Sequence, residues 1–170
     1  MSDNNIPVIC LHSVTDLEGK NRKYNLLRRF IQPMVGRYIT VSQDLKGWLH
    51  QTIGVAEEKV YQIYNGVDQD RFFPAENKDL GLAPDGFLSD DSIVIGTVGR
   101  LAAVKDQTAL IAAFALLLQS VPDYRARLRL IIVGDGPLYD QLQRQVRQLV
   151  LEQSVWMAGD RDDVADILRL

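Results

Sequence analysis

Short apolar, β-branched runs alternate with longer segments of helical periodicity along most of this 170-residue chain. The strand-like runs are 6–11, 38–41, 59–64, 92–98, 128–133 and 155–158. Apolar residues at helical spacing fall between several of them, as in the stripe Leu110, Ile111, Phe114, Leu117 and Leu118. Strands that alternate with helices are typical of βαβ units, in which the strands are parallel. The sequence therefore predicts an α/β fold.

One segment interrupts this alternation and divides the chain. Residues 69–91 are rich in acids, and prolines and glycines break any periodicity at Pro74, Gly81, Pro84 and Gly86. Such composition is typical of irregular connecting structure. We therefore expect pieces of two parallel β/α/β domains, residues 1–68 and 92–170, joined by a linker over 69–91.

Composition excludes several classes of function. The chain is 46% hydrophobic and 24% charged, as in ordinary soluble proteins. Its net charge of −3 argues against a dedicated nucleic-acid-binding protein, which would carry a basic surface. The sequence contains no apolar run of membrane-spanning length and no signal peptide pattern, so we expect a cytoplasmic protein. The single cysteine, Cys10, lies in an apolar run and is predicted to be a buried structural thiol.

Two cations follow the strand-like run 92–98. Gly99 breaks this run and places Arg100 just past the predicted strand end, and Lys105 is expected to open the next helix. Ligands of open parallel sheets bind outside the carboxyl ends of the strands. An arginine fork and a lysine point charge suit a diphosphate at such a place. From spacing alone, two solvated surface cations are an equal alternative.

Two further motifs could hold phosphate or metal. Gly134-Asp135-Gly136-Pro137 follows a strand and opens a helix, but Tyr139 takes the place of the third glycine of a dinucleotide fingerprint. The motif therefore favours a tight turn with a capping aspartate and counts against NAD. Two Asp-x-Asp runs, 68–70 and 160–162, could suggest a divalent metal. We predict no metal at either, because acids are favoured at a helix start in any case.

A basic segment lies in the first half. Residues 19–43 contain no acid and six cations: Lys20, Arg22, Lys23, Arg28, Arg29 and Arg37. With Leu26, Leu27 and Phe30 they could form an amphipathic helix on an anionic membrane. The alternative, which we favour from the sequence, is a helix over 20–35 whose apolar side is core.

Several of these pieces together resemble a known family. The matching segments, in order, are Val41–Ser42 ahead of a helix, Ile63–Asp68, Phe72–Pro74, Gly96–Leu101, Lys105, Leu130–Pro137 and Gly159. They resemble the group 1, glycogen synthase-like glycosyltransferases, which have the GT-B fold and are mostly retaining. A weaker likeness, in the runs 99–107 and 158–164, is to sugar transferases of exopolysaccharide and exosortase-associated loci.

The resemblance implies a division of roles between two Rossmann-like domains. Residues 1–68 would be the last part of the acceptor-side domain, and 92–170 the first half of the domain that binds the nucleotide sugar. The expected function is transfer of a sugar from a UDP- or GDP-sugar to a glycan or lipid-linked acceptor with retention. We expect no cofactor, no nucleic acid partner, and a cytoplasmic enzyme open to peripheral contact with the inner membrane.

The resemblance also assigns site residues. The expected catalytic residues are Arg100, Lys105 and His12. The expected donor-binding residues are Gly99, Arg100, Lys105, Gly134, Asp135, Gly159 and Arg161. In the family, the positions of Arg100 and Lys105 hold the donor diphosphate.

The chain departs from the family pattern at two places. Many relatives, especially those of the narrower group, have a Gly-Glu-His-like run after the strand histidine, but here Ser13 follows His12. A later Glu-x7-Glu-like motif is missing, since the last glutamate is Glu152. We therefore expect a hexosyltransferase fragment that is inactive in isolation. The alternatives are a sugar-nucleotide epimerase of similar architecture and a non-catalytic nucleotide-binding module.

Overall fold

The protein forms two compact units, each built on a three-stranded parallel sheet. The computed structural model describes residues 7–11, 22–75 and 77–170. The units are Met1–Val67 and Asp68–Leu170. In each sheet the strands are neighbours in their sequence order. The α/β class with parallel strands, predicted from the sequence, is confirmed.

The first unit contains three short strands and two helices. The strands are β1 (Val8–Leu11), β2 (Arg37–Thr40) and β3 (Val60–Gln62). The helices are α1 (Arg22–Ile31), followed by a 3-10 turn at Gln32–Met34, and α2 (Gln43–Trp48), continued by a π-helical turn at Leu49–Ile53. Both strand pairs, β1 with β2 and β2 with β3, are parallel.

Both ends of the α2 segment are set by local sequence. The Ser42 hydroxyl accepts a hydrogen bond from the backbone N–H of Leu45 at 3.2 Å, which satisfies one of the free donors at the helix start. Gly54 ends the segment with a left-handed backbone (φ 87°), and its N–H donates to the Leu49 carbonyl at 3.0 Å. Each end of this helical segment is thus closed by a local hydrogen bond that involves a residue favoured at that position.

The expectation that Cys10 is a buried thiol is wrong. The core of the first unit consists of Val35, Tyr38, Leu49, Ile53, Val55 and Val60. Ile9 and Leu11 of β1 pack against this core, whereas Val8 is 50% exposed and Cys10 is exposed. Side chains alternate between the two faces of a strand, so Cys10 lies on the face away from the core.

Helix α1 leaves apolar side chains exposed. Leu26, Phe30 and Met34, spaced four residues apart, are 69%, 80% and 74% exposed. The Arg29 guanidinium of this helix donates to the Thr52 carbonyl at 2.9 and 2.6 Å. The expectation that the apolar side of α1 is core is therefore wrong within the described part of the chain.

The second unit repeats the strand–helix alternation with longer elements. Its strands are β4 (Ile93–Val98), β5 (Leu128–Val133) and β6 (Val155–Gly159). Its helices are α3 (Gln107–Ser120), α4 (Tyr139–Gln148) and α5 (Val164–Ile167), with 3-10 turns at Leu80–Leu82, Ala103–Lys105 and Pro122–Tyr124. Both strand pairs, β4 with β5 and β5 with β6, are parallel.

Strand β5 is buried on both faces. Leu130 and Ile132 join the core formed with α3 and α4, while Ile131 and Val133 join a second core on the opposite face. A central strand of a parallel sheet must bury both faces, which is why residues 130–133 form a continuous apolar run rather than an alternating one. The run 128–133 predicted this strand with its correct bounds.

Part of the segment predicted as a linker packs on this sheet. Ala83 and Phe87 are 8% exposed and belong to the core that contains Ile131. The Phe87 ring meets Trp156 edge-on at 6.2 Å between centroids, and its carbonyl accepts from Arg129 Nε at 2.6 Å. This part of 69–91 is thus built into the second unit, and an interdomain role for the segment stays a prediction.

Helix α4 ends in a left-handed residue that is not glycine. Val150 has φ 54°, and its N–H donates to the Arg147 carbonyl at 3.0 Å. The next N–H, of Leu151, donates to Val146 at 3.0 Å, and both side chains are 4% exposed. This is a Schellman ending with its usual apolar contact, at which glycine is preferred because it has no Cβ.

Val150→Gly is therefore expected to stabilise the chain by about 0.5–1 kcal/mol. A left-handed backbone costs an L-residue about 1–2 kcal/mol, and the greater chain entropy that glycine loses on folding offsets part of the gain. Val150 is 80% exposed, so little packing is lost. Urea denaturation measures the change, with Val150→Ala, which keeps the Cβ, as the control. Equal stability of the glycine and valine forms would contradict this account.

Candidate functional site

The carboxyl ends of the three strands of the second unit lie side by side. The Gly99 N–H, after β4, donates to the carbonyl of Val133 at 3.0 Å. The Gly134 N–H, after β5, donates to the carbonyl of Gly159 at 2.7 Å. We call the segments that follow, 99–105, 134–138 and 160–163, the strand-end loops. They occupy the edge at which open parallel sheets bind ligands.

The backbones of the first two strand-end loops, 99–105 and 134–138, are in close contact. A Cβ built on Gly134 (φ 130°) would lie 2.9 Å from the Gly99 carbonyl carbon and closer still to its oxygen. A Cβ on Gly136 would lie 2.5 Å from the Leu101 oxygen. Only glycine allows this approach, which is a physical reason for the Gly-Asp-Gly sequence.

Hydrogen bonds join these two loops. The Leu101 N–H donates to the Asp135 carbonyl at 2.9 Å, and the Leu101 carbonyl accepts from the N–H of Leu138 at 3.1 Å. The Asp135 carboxylate accepts from Gly136 at 2.7 Å inside the turn. The predicted tight turn is confirmed, but its aspartate does not cap α4, whose N-cap residue Leu138 makes no side-chain cap bond.

Arg100 and Lys105 both lie in the first strand-end loop. Arg100 follows Gly99, and Lys105 ends the 3-10 turn Ala103–Lys105, so the expectation that Lys105 opens a helix is wrong. Helix α3 begins two residues later because Asp106 takes the N-cap place, its Oδ1 accepting from Ala109 at 3.3 Å. Both cations are exposed, and within the described ranges neither charged group is paired with a carboxylate. Two unpaired cations near the end of one strand can receive an anion.

Arg161, in the third strand-end loop, is already paired. Its guanidinium donates to the Asp163 carboxylate at 2.7 Å and lies over the Trp156 ring at 5.8 Å from the centroid. This hydrogen bond lowers the pKa of the Asp163 carboxyl below its ordinary value. A phosphate of the donor would have to compete with Asp163 for the Arg161 guanidinium. Arg161 is therefore a weaker candidate than Arg100 for the predicted donor-binding role.

A buried glutamine at this edge, Gln107, was not predicted as a site residue from the sequence. Gln107, 2% exposed, donates from Nε2 to the Arg100 carbonyl at 3.3 Å. The only available sign was its position, because 107 shares the buried stripe of α3 with Ile111, Phe114 and Leu118. A polar residue on such a stripe signals a specific hydrogen bond.

A depression of about 790 Å³ lies at the opposite, amino end of the sheet. Arg125, Arg129 and Glu152 line part of it. The Arg129 guanidinium donates hydrogen bonds to the carbonyls of Phe87 and Leu128, at 2.6 and 2.9 Å. Since this arginine supports the fold, the depression is a weaker candidate for a ligand site than the strand-end loops.

Other sequence predictions bear on this site only indirectly. His12 falls outside the described residues. Asp68, of the first Asp-x-Asp run, accepts from the N–H groups of Asp70 and Arg71 at 3.1 and 3.3 Å. Among the residues that the structure describes, no cluster of three acidic, histidine or cysteine side chains could hold a metal ion, and no helix could cross a membrane.

Comparison with known proteins extends the resemblance noted from the sequence. Residues 83–170 match the family of glycosyl transferases group 1, and residues 4–71 match Glycosyltransferase Family 4. The chain is 27% identical to the putative glycosyltransferase EpsF of Bacillus subtilis (strain 168), over 96% of this chain and 43% of that protein.

A second relative comes from Campylobacter jejuni. It is an N-acetylgalactosamine-N,N'-diacetylbacillosaminyl-diphospho-undecaprenol 4-alpha-N-acetylgalactosaminyltransferase, 30% identical over 82% of this chain and 35% of its own length. The chain thus spans less than half the length of these curated relatives.

Among solved structures, Anabaena Alr3699/HepE in complex with UDP and glucose is similar with a TM-score of 0.71 and 26% identity. The match covers 96% of this chain and 44% of that one. WaaG, a glycosyltransferase of lipopolysaccharide biosynthesis, has a TM-score of 0.70 at 16% identity over 97% and 49% of the two chains, which shows a shared fold. The predicted GT-B-type fold class is confirmed. Since the group 1 match alone spans more than half of the chain, the protein belongs to the group 1 glycosyl transferases.

Proposed function

We propose that the strand-end loops of the second unit bind the diphosphate of a nucleotide-sugar donor through Arg100 and Lys105. The observation that carries this proposal is a pair of exposed cations at the carboxyl edge of a parallel sheet, neither of which is paired with a carboxylate of the described chain. Arginine offers a planar fork that matches phosphate oxygens, and lysine adds a mobile point charge. In catalysis the same cations would stabilise charge that develops on the leaving nucleoside diphosphate.

UDP is the nucleotide that the comparisons favour over GDP. Anabaena Alr3699/HepE, at 25–26% identity, is described in complexes with UDP, with UDP and glucose, and with UDP-glucose. We therefore propose a UDP-sugar as donor, with glucose-type hexoses as the first substrates to test.

Calorimetric titration of the chain with UDP, UMP and uridine tests the diphosphate site. We expect UDP to bind most tightly and uridine most weakly, because each phosphate adds charge-assisted contacts. GDP and ADP serve as base controls. Equal affinity for uridine and UDP would show that the cations do not recognise the diphosphate.

Binding is expected without a divalent metal. Arg100 and Lys105 would neutralise part of the charge of the diphosphate, so a divalent metal is not needed for binding. Titration of UDP in EDTA and in magnesium should give the same dissociation constant. A large gain in magnesium would assign part of the phosphate recognition to the metal.

The first unit is proposed to belong to the acceptor side of the full-length enzyme, with residues 69–91 as the segment that links the two domains and His12 as a catalytic residue. The acceptor we propose is a glycan or a lipid-linked saccharide, because the Campylobacter jejuni relative is named for a diphospho-undecaprenol acceptor. The proposed reaction retains the anomeric configuration of the sugar. NMR of the anomeric proton in the product of the full-length enzyme tests this, and an inverted product would contradict it.

We also propose that α1 rests on an anionic membrane surface. The exposed stripe Leu26, Phe30 and Met34 lies in a segment with six cations and no acid. Basic amphipathic helices of this kind bury apolar residues at the lipid interface, and the cytoplasmic leaflet carries anionic lipid. The lipid-linked acceptor would place the enzyme at the same surface.

Flotation with vesicles of phosphatidylcholine, with and without phosphatidylglycerol, tests the membrane proposal. We expect binding that needs phosphatidylglycerol and is lost in Leu26→Ser/Phe30→Ser. Leu116→Ser, a 63% exposed leucine on α3 of the other unit, is the matched control and should still bind. Absence of flotation, with loss of thermal stability in the double variant, would assign this face to packing within the full-length protein.

A further inference from the structure

Gln107 combines deep burial with incomplete hydrogen bonding. It is the first residue of α3, and its side chain is 2% exposed. Nε2 donates to the Arg100 carbonyl at 3.3 Å, while Oε1 is buried and has no hydrogen-bond partner among the described residues. Because a carbonyl oxygen can accept only from the amide nitrogen, this bond fixes the orientation of the amide.

Such a residue does not serve stability well. A buried amide that leaves its oxygen unpaired loses hydration without full compensation. The same stripe of α3 contains Ile111 and Phe114, and an apolar side chain at 107 would continue it. We therefore attribute the glutamine at this position to its hydrogen bond with the Arg100 carbonyl rather than to a contribution to stability.

That group is the peptide that carries Arg100. The Arg100 carbonyl accepts from Gln107 and also from the Ala102 N–H at 3.0 Å, and the next residue, Leu101, is tied to Asp135 at 2.9 Å. The backbone on the carboxyl side of the Arg100 side chain is thus anchored to a helix and to the neighbouring loop. An exposed arginine on a fixed peptide loses less conformational freedom when it binds an anion.

We propose that Gln107 is a positioning residue that holds the Arg100 peptide in the orientation needed for diphosphate binding. This inference rests on the proposed role of Arg100. Gln107 itself makes no contact with the ligand and acts only through the loop. Its removal should lower nucleotide affinity without lowering stability.

The structure offers a matched control in Gln145. Its Nε2 donates to the Thr108 carbonyl at 2.9 Å, and its Oε1 is also buried and finds no hydrogen-bond partner in the described ranges, so the two amide groups have similar local chemistry. Gln145 lies on α4 and holds a carbonyl of α3 rather than the peptide of Arg100. Replacement at 145 should leave UDP affinity unchanged.

The experiment measures UDP affinity by calorimetry and thermal stability for Gln107→Leu, Gln107→His and Gln145→Leu. We expect Gln107→Leu to bind UDP about three- to tenfold more weakly, with a Tm equal to or above that of the parent chain. Gln107→His, whose ring N–H can donate to the same carbonyl, should recover part of the affinity. A fall in Tm and affinity together in both leucine variants would show that the glutamines only support the fold.

Combination with Arg100→Ala separates failure of this inference from failure of the proposed function. If Gln107 acts through Arg100, Gln107→Leu should have no further effect on UDP affinity in the Arg100→Ala chain. Loss of affinity in Arg100→Ala with none in Gln107→Leu would overturn the positioning role alone. Unchanged affinity in Arg100→Ala would overturn the diphosphate site and, with it, this role.

Discussion

Gly134→Ala is expected to lower the free energy of unfolding by about 3 kcal/mol or more, through overpacking and backbone strain together. The new Cβ would meet the Gly99 carbonyl group at less than van der Waals distance, with its carbon 2.9 Å away. The backbone at φ 130° is also one that alanine avoids. Since the obstacle is backbone rather than a flexible side chain, the two strand-end loops must separate.

Gly96→Ala provides the control for this substitution. Gly96 lies in β4, and a Cβ there has nothing within 4 Å. The free energy of unfolding of this variant should change by less than about 1 kcal/mol, since alanine reduces the conformational entropy of the unfolded chain and its Cβ meets no clash. Urea denaturation followed by circular dichroism compares the two. Equal stabilities of the two variants would show that the loops do not pack as described.

Arg100→Ala is expected to weaken UDP binding by about 1.5–3 kcal/mol, the usual range for a hydrogen bond to a charged group. The Arg100 side chain is exposed and, in the described chain, pairs with no carboxylate, so its removal breaks no ion pair there. Arg100→Lys should recover only part of the affinity, because an ammonium group cannot reproduce the two parallel bonds of the guanidinium fork.

Arg125→Ala is the matched control for charge. Arg125 is also an exposed arginine of the second unit, but it follows the turn Pro122–Tyr124 and lines the depression at the amino end of the sheet. Both variants remove one positive charge, so a long-range field would affect them alike. Calorimetry should show a large loss for Arg100→Ala and a small one for Arg125→Ala. A similar loss in both would contradict a local contact with Arg100.

The strands and caps could be predicted because their signals are local. The continuous apolar run 130–133 of β5 and the capping side chain of Ser42 each favour the local conformation that the structure has there. The burial of Cys10 and of the apolar side of α1 could not be predicted in this way. An apolar run indicates a strand or helix, but which face is covered depends on the elements that pack against it.

The candidate site could be predicted in outline only. Arg100 lies just past the end of β4, as its position directly after Gly99 indicated. Lys105, in contrast, lies in a 3-10 turn, because Asp106 takes the N-cap position of α3. The pairing of Arg161 with Asp163 and the bond from Gln107 to the Arg100 carbonyl depend on side-chain geometry. Sequence periodicity can mark Gln107 as a polar residue on a buried stripe, but it does not identify the hydrogen-bond partner of either side chain.

Amide NMR of the isotope-labelled 170-residue chain during titration with UDP tests the diphosphate site most directly. We predict that the largest shifts fall on residues 99–105 and 134–138, with smaller ones at 160–163. They should be absent with uridine at the same concentration. Shifts confined to residues 122–129 and 150–154, around the depression at the amino end of the sheet, would contradict the assignment of the donor site to the strand-end loops.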